Sequence, residues 1–182
     1  MNDELEARIS RLVDSPLFPL TRDFQLKALT EPMASELPRD GEGDRPCHAC
    51  GRPDRVLWGN GRWQIAHFQP TANPVLLFLE TVEHVDFDHL DASMAGEFGQ
   101  LCWHLEAAIR SVPGVGRVHI HRWSDGSSHL HVWFQARPAG QLEFYGWGNV
   151  LRPQVDDALP ADFIHANHAL VVAAFEARIG ST

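Results

Sequence analysis

The sequence predicts an α+β fold: a five-stranded antiparallel sheet with one long helix packed on it, and helical extensions at both ends of the chain. Three observations lead to this prediction. Short β-rich runs alternate with turn residues, one long stretch repeats its apolar residues at helical spacing, and the run 117–138 has the pattern of a final strand pair. With 182 residues, the chain is long enough for one domain with a core.

The composition is typical of a globular protein, with 44% hydrophobic and 21% charged residues. A net charge of −9 argues against extended binding to nucleic-acid phosphates, which requires a basic surface. No apolar run reaches the ~20 residues of a membrane span, and the amino terminus is acidic and amphipathic where a signal peptide would be basic and then apolar. We therefore expect a cytoplasmic protein that does not associate with membranes.

The chain is predicted to divide into a central domain and two flanking segments. Apolar residues at helical spacing over residues 2–13 predict a short helix, and residues 38–46 mix Pro, Gly and charges as a loop or linker does. The expected units are an N-terminal helical extension over 1–46, a domain over 47–138, and a C-terminal aromatic segment and helix over 139–182 that packs on the same domain.

Three strands are predicted ahead of the long helix. Residues 55–59 and 62–69 flank Asn60-Gly61, a pair that favours a hairpin because both residues tolerate positive φ. Residues 75–80 are apolar on both faces, as expected for a central strand. Together these runs predict three strands of one antiparallel sheet.

The longest predicted helix covers residues 91–112, with apolar residues at intervals of three and four and Asp91 as its N-cap. Cys102 lies within it and is expected to belong to the core. Residues 139–159 are rich in Gly, Pro and aromatic residues and predict an irregular closing segment. A second helix is predicted over 160–179.

The final strand pair carries most of the candidate chemistry. On its second strand, His129, His131 and Trp133 alternate with three apolar residues, so one face would be apolar and the other would present imidazoles. Whether His119 and His121 lie on that side depends on the loop, because a one-residue change of register turns them over. The spacing alone leaves both arrangements open.

Cys47 and Cys50 form a Cys-x-x-Cys pair around a Gly-containing turn, which is typical of a zinc knuckle. A redox pair or two reduced structural cysteines would have the same spacing. The absence of a βαβ context favours metal over redox chemistry. Three cysteines in all do not make a disulfide framework of the secreted kind.

The order of these elements and motifs resembles the histidine triad (HIT) superfamily of nucleotide hydrolases and transferases, which includes the galactose-1-phosphate uridylyltransferase branch. The resemblance covers about residues 47–138, roughly half the chain, and implies a HIT-like fold. It rests on the Cys-x-x-Cys pair, a strand leading to a Glu-His segment, the long helix and a terminal His-x-His strand: Cys47, Cys50, Glu83, His84, Ser128, His129, Leu130, His131 and Val132.

In zinc-containing members of that superfamily, the metal is held by the Cys-x-x-Cys pair, the histidine of the Glu-His segment and the first histidine of the terminal strand. On the matching positions, the resemblance implies Cys47, Cys50, His84 and His129 as ligands. Such a closed Cys2His2 set would hold a structural zinc ion that braces the sheet. The competing interpretation of His84 is a surface residue at the helix entry.

The resemblance also implies that His131 is a nucleophile. It would attack the α-phosphorus of a nucleotide or nucleoside phosphate, a phosphoric anhydride or phosphoramidate, and form a covalent nucleotidyl intermediate. Ser127 and Ser128 would neutralise charge on the phosphoryl oxygens, with plain turn formation as the alternative. The residues predicted to bind substrate are Asn73, Trp133 and Gln135. Pairing through helix and sheet edge would make a homodimer.

One departure from the family pattern affects catalysis. The third position of the motif, usually His or Gln, is Trp133, whose indole donates one hydrogen bond but cannot shuttle a proton. A catalytically weak nucleotide-binding or regulatory protein is therefore the second hypothesis, and a purely structural zinc protein is the third. A shifted register with Ser127 first, His129 in the middle and His131 third would remove His129 from the zinc set.

Overall fold

A computed structural model describes residues 31–142, 145–155 and 157–181. Within these ranges, five strands form one antiparallel sheet in the order β1-β2-β3-β5-β4, together with three α-helices, so the predicted α+β architecture is confirmed. The helix predicted over residues 2–13 lies outside the described residues. The strands are β1 Val56–Gly59, β2 Trp63–His67, β3 Leu76–Thr81, β4 Val115–His121 and β5 His131–Pro138, and the helices are α1 Ala92–Arg110, α2 Gly148–Val155 and α3 Ala161–Ile179.

The β1–β2 hairpin forms where Asn60-Gly61 predicts it. The Asn60 side-chain oxygen accepts hydrogen bonds from the backbone N–H groups of Arg62 and Trp63, at 3.0 and 2.8 Å. Gly61 has a φ of +86°, which a residue without a β-carbon adopts freely. Local turn chemistry therefore sets the register of the first two strands.

One face of the sheet is covered by α1 and α3 and forms the core. The carboxylate of Asp91 accepts a hydrogen bond from Met94 N at 2.8 Å and caps α1, as predicted. Burying each large apolar side chain of this face stabilises the fold by about 1.5–3 kcal/mol. The sheet residues of the core are Trp63, Ile65, Leu77, Leu79, Val132, Phe134 and Ala136.

The opposite face carries the candidate chemistry. His121 pairs with Trp133 and His119 with Gln135, and residues directly opposite in an antiparallel ladder lie on the same side. Trp133 and Gln135 are two and four residues after His131, so they share its side as well. Both β4 histidines therefore lie on the side of His131, which settles the register question.

Residues 148–155 form a helix, so the prediction of an irregular segment over 139–159 is wrong in part. The cause is tertiary, because the fully buried Asn149 anchors α2 to the sheet face. Its side-chain oxygen accepts a hydrogen bond from Asn73 Nδ2 at 3.1 Å, and its backbone oxygen accepts one from Gln135. None of the helices in the described ranges is both long enough and apolar enough to cross a lipid bilayer.

Candidate metal centre and adjoining cavity

Four potential metal ligands converge at one end of the sheet: Cys47, Cys50, His84 and His129. Their ligand atoms all lie within 4.8 Å of one another. His129 Nδ1 is 3.4 Å from the Cys47 sulfur and 3.3 Å from the Cys50 sulfur, and His84 Nδ1 is 3.6 Å from the Cys50 sulfur. Tetrahedral zinc, with bonds of about 2.0–2.3 Å, places neighbouring N and S ligand atoms about 3.5 Å apart. The donor set and its size therefore fit zinc.

Backbone contacts orient the His129 ring for ligation. His129 is 1% exposed, and its Nε2 lies 2.8 Å from the Thr81 carbonyl oxygen. Because a carbonyl oxygen only accepts, Nε2 carries the proton and Nδ1 offers its lone pair to the two sulfurs. Such outer contacts hold histidine ligands in the correct tautomer in metal sites.

Ser128 orients the second histidine in the same way. The Ser128 hydroxyl donates its hydrogen to the Asp40 backbone oxygen and lies 3.2 Å from His84 Nε2. Since its only hydrogen is used, its oxygen accepts a hydrogen bond from the N–H of His84 Nε2. This leaves His84 Nδ1 free to face Cys50. Ser128 is buried behind the ring of His84 and does not line the neighbouring cavity, so the structure does not place it where the predicted catalytic role requires.

The surroundings of the Cys50 thiol disfavour its ionisation. Burial, together with the nearby Cys47 thiol, raises the pKa of Cys50 to about 11. Only a thiolate binds zinc, so metal binding would release the proton that this environment otherwise retains. Both cysteines are unbridged, as a metal site requires.

A cavity of about 450 Å³ opens beside the metal centre, which is a size suited to a small ligand. His131 and Ser127 both line it, as the catalytic prediction requires. The Ser127 hydroxyl also accepts a hydrogen bond from His129 N at 3.2 Å. Further lining residues are Arg52, Arg55, Phe68, Phe78, Glu80 and Gly126.

His131 has the tautomer that a nucleophile needs. Its Nδ1 is 2.7 Å from the His129 carbonyl oxygen and must donate to it, so Nε2 is left without a proton. Burial is the main reason that the pKa of His131 is lowered, and the ring is therefore neutral near pH 7. A neutral imidazole with an unprotonated Nε2 can attack an electrophile from the cavity wall.

Aromatic side chains surround His131 on the same face. The Trp133 ring lies 4.5 Å from the Phe78 ring and 5.7 Å from the Phe68 ring, centroid to centroid, and 6.5 Å from that of His131. Trp133 is thus next to the predicted nucleophile and packs behind the cavity wall.

The other two residues predicted to bind substrate lie elsewhere. Asn73 and Gln135 are 0% and 2% exposed, and neither lines the cavity of His131. Asn73 donates to the Ala136 backbone oxygen at 3.2 Å and accepts from Gln135 at 3.0 Å. Their amides are engaged in the network that holds α2, so the structure places them in the fold's interior and away from the cavity.

The cavity contains a buried ion pair that no sequence motif indicated. Arg55 Nη2 donates to both carboxylate oxygens of Glu80, at 3.0 and 2.8 Å, and Gln64 Nε2 donates to one of them at 2.7 Å. The Glu80 side chain is fully buried, and desolvation raises its pKa against the opposing effect of Arg55. In the sequence, the available sign of this ion pair was Glu80, the one acidic residue at the end of the otherwise apolar run 75–80.

Residues 38–46, predicted to be a loop or linker, contribute to the site. Asp40 N donates to the Gly126 oxygen at 2.9 Å, and Ser128 N donates to the Asp40 oxygen at 3.0 Å. Gly41 has a φ of +88°, and a β-carbon there would lie 2.3 Å from a ring carbon of His84. The segment therefore folds against the metal centre, and glycine is needed at this approach.

Comparison with known proteins identifies the fold. No protein-family model and no curated protein matches the sequence. A HIT-like protein involved in cell-cycle regulation from Bartonella henselae is 10% identical, with a TM-score of 0.50 over 66% of this chain and 85% of that chain. A hypothetical histidine triad nucleotide-binding protein from Sulfolobus tokodaii is also 10% identical, with a TM-score of 0.54 over 72% and 93%. The histidine triad fold implied by the motifs is confirmed.

Proposed function

Starting from the histidine triad fold, we propose that this protein is a nucleotide-binding hydrolase or nucleotidyltransferase. It acts on a phosphoric anhydride or phosphoramidate through a covalent nucleotidyl intermediate on His131. The observation that carries the proposal is the position of His131, which lines the 450 Å³ cavity while its Nδ1 is held by the His129 carbonyl oxygen. This arrangement keeps an imidazole lone pair available at the surface of a pocket of nucleotide size.

In the first step, His131 Nε2 attacks the α-phosphorus. A phosphorus–nitrogen bond forms, the bond to the leaving group breaks, and its electron pair goes to the leaving group. In the second step, water or an acceptor hydroxyl attacks the same phosphorus and loses a proton, and the phosphorus–nitrogen bond returns its electrons to His131. The Nδ1 contact with His129 holds the ring orientation through both steps.

The cavity offers groups for the rest of the nucleotide. Phe68 and Phe78 provide aromatic surface that suits a nucleobase. Ser127 and the backbone around Gly126 supply polar groups for the phosphoryl oxygens. We propose Ser127 as the hydroxyl that contacts the phosphoryl group, and Trp133, which packs against Phe68 and Phe78, as the support of the aromatic wall of the cavity.

Cys47, Cys50, His84 and His129 would hold a structural zinc ion. When bound, the ion would link the loop of residues 47–50 to the segment that precedes β5. Four protein ligands leave no coordination position for water, so the reaction would depend on the side chains of the cavity. Bracing His129 also fixes the carbonyl oxygen that orients His131.

The second candidate is a nucleotide-binding or regulatory protein with little catalysis. Trp133 favours it, because the indole beside His131 cannot pass a proton to a leaving group. Such a protein would bind nucleotides in the same cavity and form no intermediate.

The experiment is a single-turnover reaction with radiolabelled nucleotidyl donors, quenched in alkali. The proposal expects an acid-labile, alkali-stable adduct that is lost in His131→Ala and kept in His89→Ala, whose imidazole is 75% exposed. Thermal unfolding of the variants verifies that they are folded. Binding of nucleotide without any adduct supports the second candidate, and an adduct that persists in His131→Ala refutes the assignment of the nucleophile.

A further inference from the structure

We infer that the cavity selects a substrate in which the attacked phosphorus is joined to a second phosphate, and that Arg55, held by Glu80, binds this second phosphate. The inference rests on the proposed function and goes further, because it chooses the anhydride over the phosphoramidate. It also assigns a binding role to a residue that no sequence motif indicated.

The Arg55–Glu80 ion pair lies close to the proposed nucleophile, His131. Glu80 on β3 and His131 on β5 are direct partners across the sheet, so their β-carbons are about 5 Å apart on the same face. The guanidinium of Arg55 is hydrogen bonded to the Glu80 carboxylate, and all three residues line one cavity. A group bound to His131 and a group next to it thus lie within reach of one guanidinium.

The Arg55 guanidinium has unused hydrogen-bonding capacity. A guanidinium has five N–H donors, and the contacts with Glu80 use those of Nη2. Among the described residues, the buried Nε has no hydrogen-bond partner. A buried donor without a partner is uncommon in proteins, and a phosphate accepts from a guanidinium through two parallel bonds. Arg52 adds a second cation to the cavity lining.

The leaving groups of the two substrate classes make different chemical demands on the site. When His131 displaces a phosphate, the electron pair of the broken P–O bond stays on the bridging oxygen, and the group leaves as an anion that Arg55 can neutralise. When it displaces an amine, the electron pair goes to nitrogen, which needs a proton at that moment. Trp133 cannot supply that proton. With Arg52 and Arg55 in its lining and an indole at the position next to His131, the cavity favours the leaving group that needs a cation.

The test compares two donors that carry the same nucleoside monophosphate, one as a nucleoside diphosphate and one as a phosphoramidate. Arg55→Gln is expected to slow adduct formation from the diphosphate by about tenfold or more, since a charge-assisted bond is lost. The rate with the phosphoramidate should change by less than about threefold. Arg62→Gln is the matched control, because Arg62 also pairs with a glutamate, Glu97 of α1, but is about half exposed and lies outside the cavity lining.

A second measurement separates ligand binding from structural support. Glu80→Gln removes the carboxylate that competes for Arg55, so the affinity for inorganic pyrophosphate, measured by calorimetry, should rise, whereas Arg55→Gln should lower it. A purely structural ion pair would weaken binding in both variants, and that result would overturn the inference. Equal losses with both donors in Arg55→Gln would also overturn it.

The two proposals fail in different ways. If the wild-type protein forms no adduct with either donor, the proposed function fails, and the opposite pyrophosphate shifts still support Arg55 as a phosphate-binding residue. If the adduct forms and its rate of formation from the diphosphate is the same in Arg55→Gln and wild type, while pyrophosphate binding is unchanged, the proposed function holds and the role of Arg55 is refuted.

Discussion

Acidification should weaken the attachment of α3 to the sheet through His168. This residue is 3% exposed, and neither ring nitrogen has a hydrogen-bond partner among the described residues. Its ring lies 5.6 Å from that of His67 on β2. Burial, assisted by the nearby His67 and His165, lowers the pKa of His168 from 6.5 to about 4.

The sign and size of the effect follow from this shift. Because the folded-state pKa lies below the unfolded one, the unfolded chain binds more protons between pH 6.5 and 4, so the free energy of unfolding decreases as the pH falls. His168 alone should cost about 2 kcal/mol at pH 5 and about 3 kcal/mol at pH 4, relative to pH 7.5.

The assay is urea unfolding of wild type and His168→Leu at pH 7.5, 6 and 5. Other groups titrate in this range, but their contributions cancel in the difference between the two proteins. We expect this difference to shift by about 2 kcal/mol in favour of the variant between pH 7.5 and 5. His89→Gln, at an exposed position, should show no such shift. A difference that stays constant with pH would refute the reasoning.

Three further outcomes are expected. Zinc content, measured by elemental analysis under reducing conditions, should be near one equivalent per chain and should fall sharply in Cys50→Ser. It should not fall in Cys102→Ser, because Cys102 packs against the core. A metal-free wild type would contradict the ligand set. Gly41→Ala should weaken zinc retention against a chelator, because the added β-carbon would displace His84. Gly43→Ala should not, because Gly43 also has a positive φ but a β-carbon there would meet no atom within 4 Å. Equal losses in both variants would point to backbone strain alone. Sedimentation should show a homodimer at micromolar concentration, and a monomer there would remove that prediction.

Patterns within short segments predicted most of the secondary structure. The Asn60-Gly61 turn, the Asp91 cap and the apolar spacing of α1 act between neighbours in the chain, so their physics is readable from the sequence. The same holds for the Cys-x-x-Cys pair, whose spacing restricts it to few arrangements. The resemblance then supplied the two histidines that the structure brings to these cysteines.

Tertiary structure decided the rest, because register and long-range packing have no local signal. The side on which His121 lies follows from its pairing with Trp133 across a loop of nine residues. Asn149 forms part of a helix because amides on two distant segments bind it. The sequence alone determined the five strands, α1, α3 and the motif residues. Only the assembled sheet put Glu80 opposite His131 and Arg55 beside both, since burial and the cost of an unpaired charge depend on the whole fold.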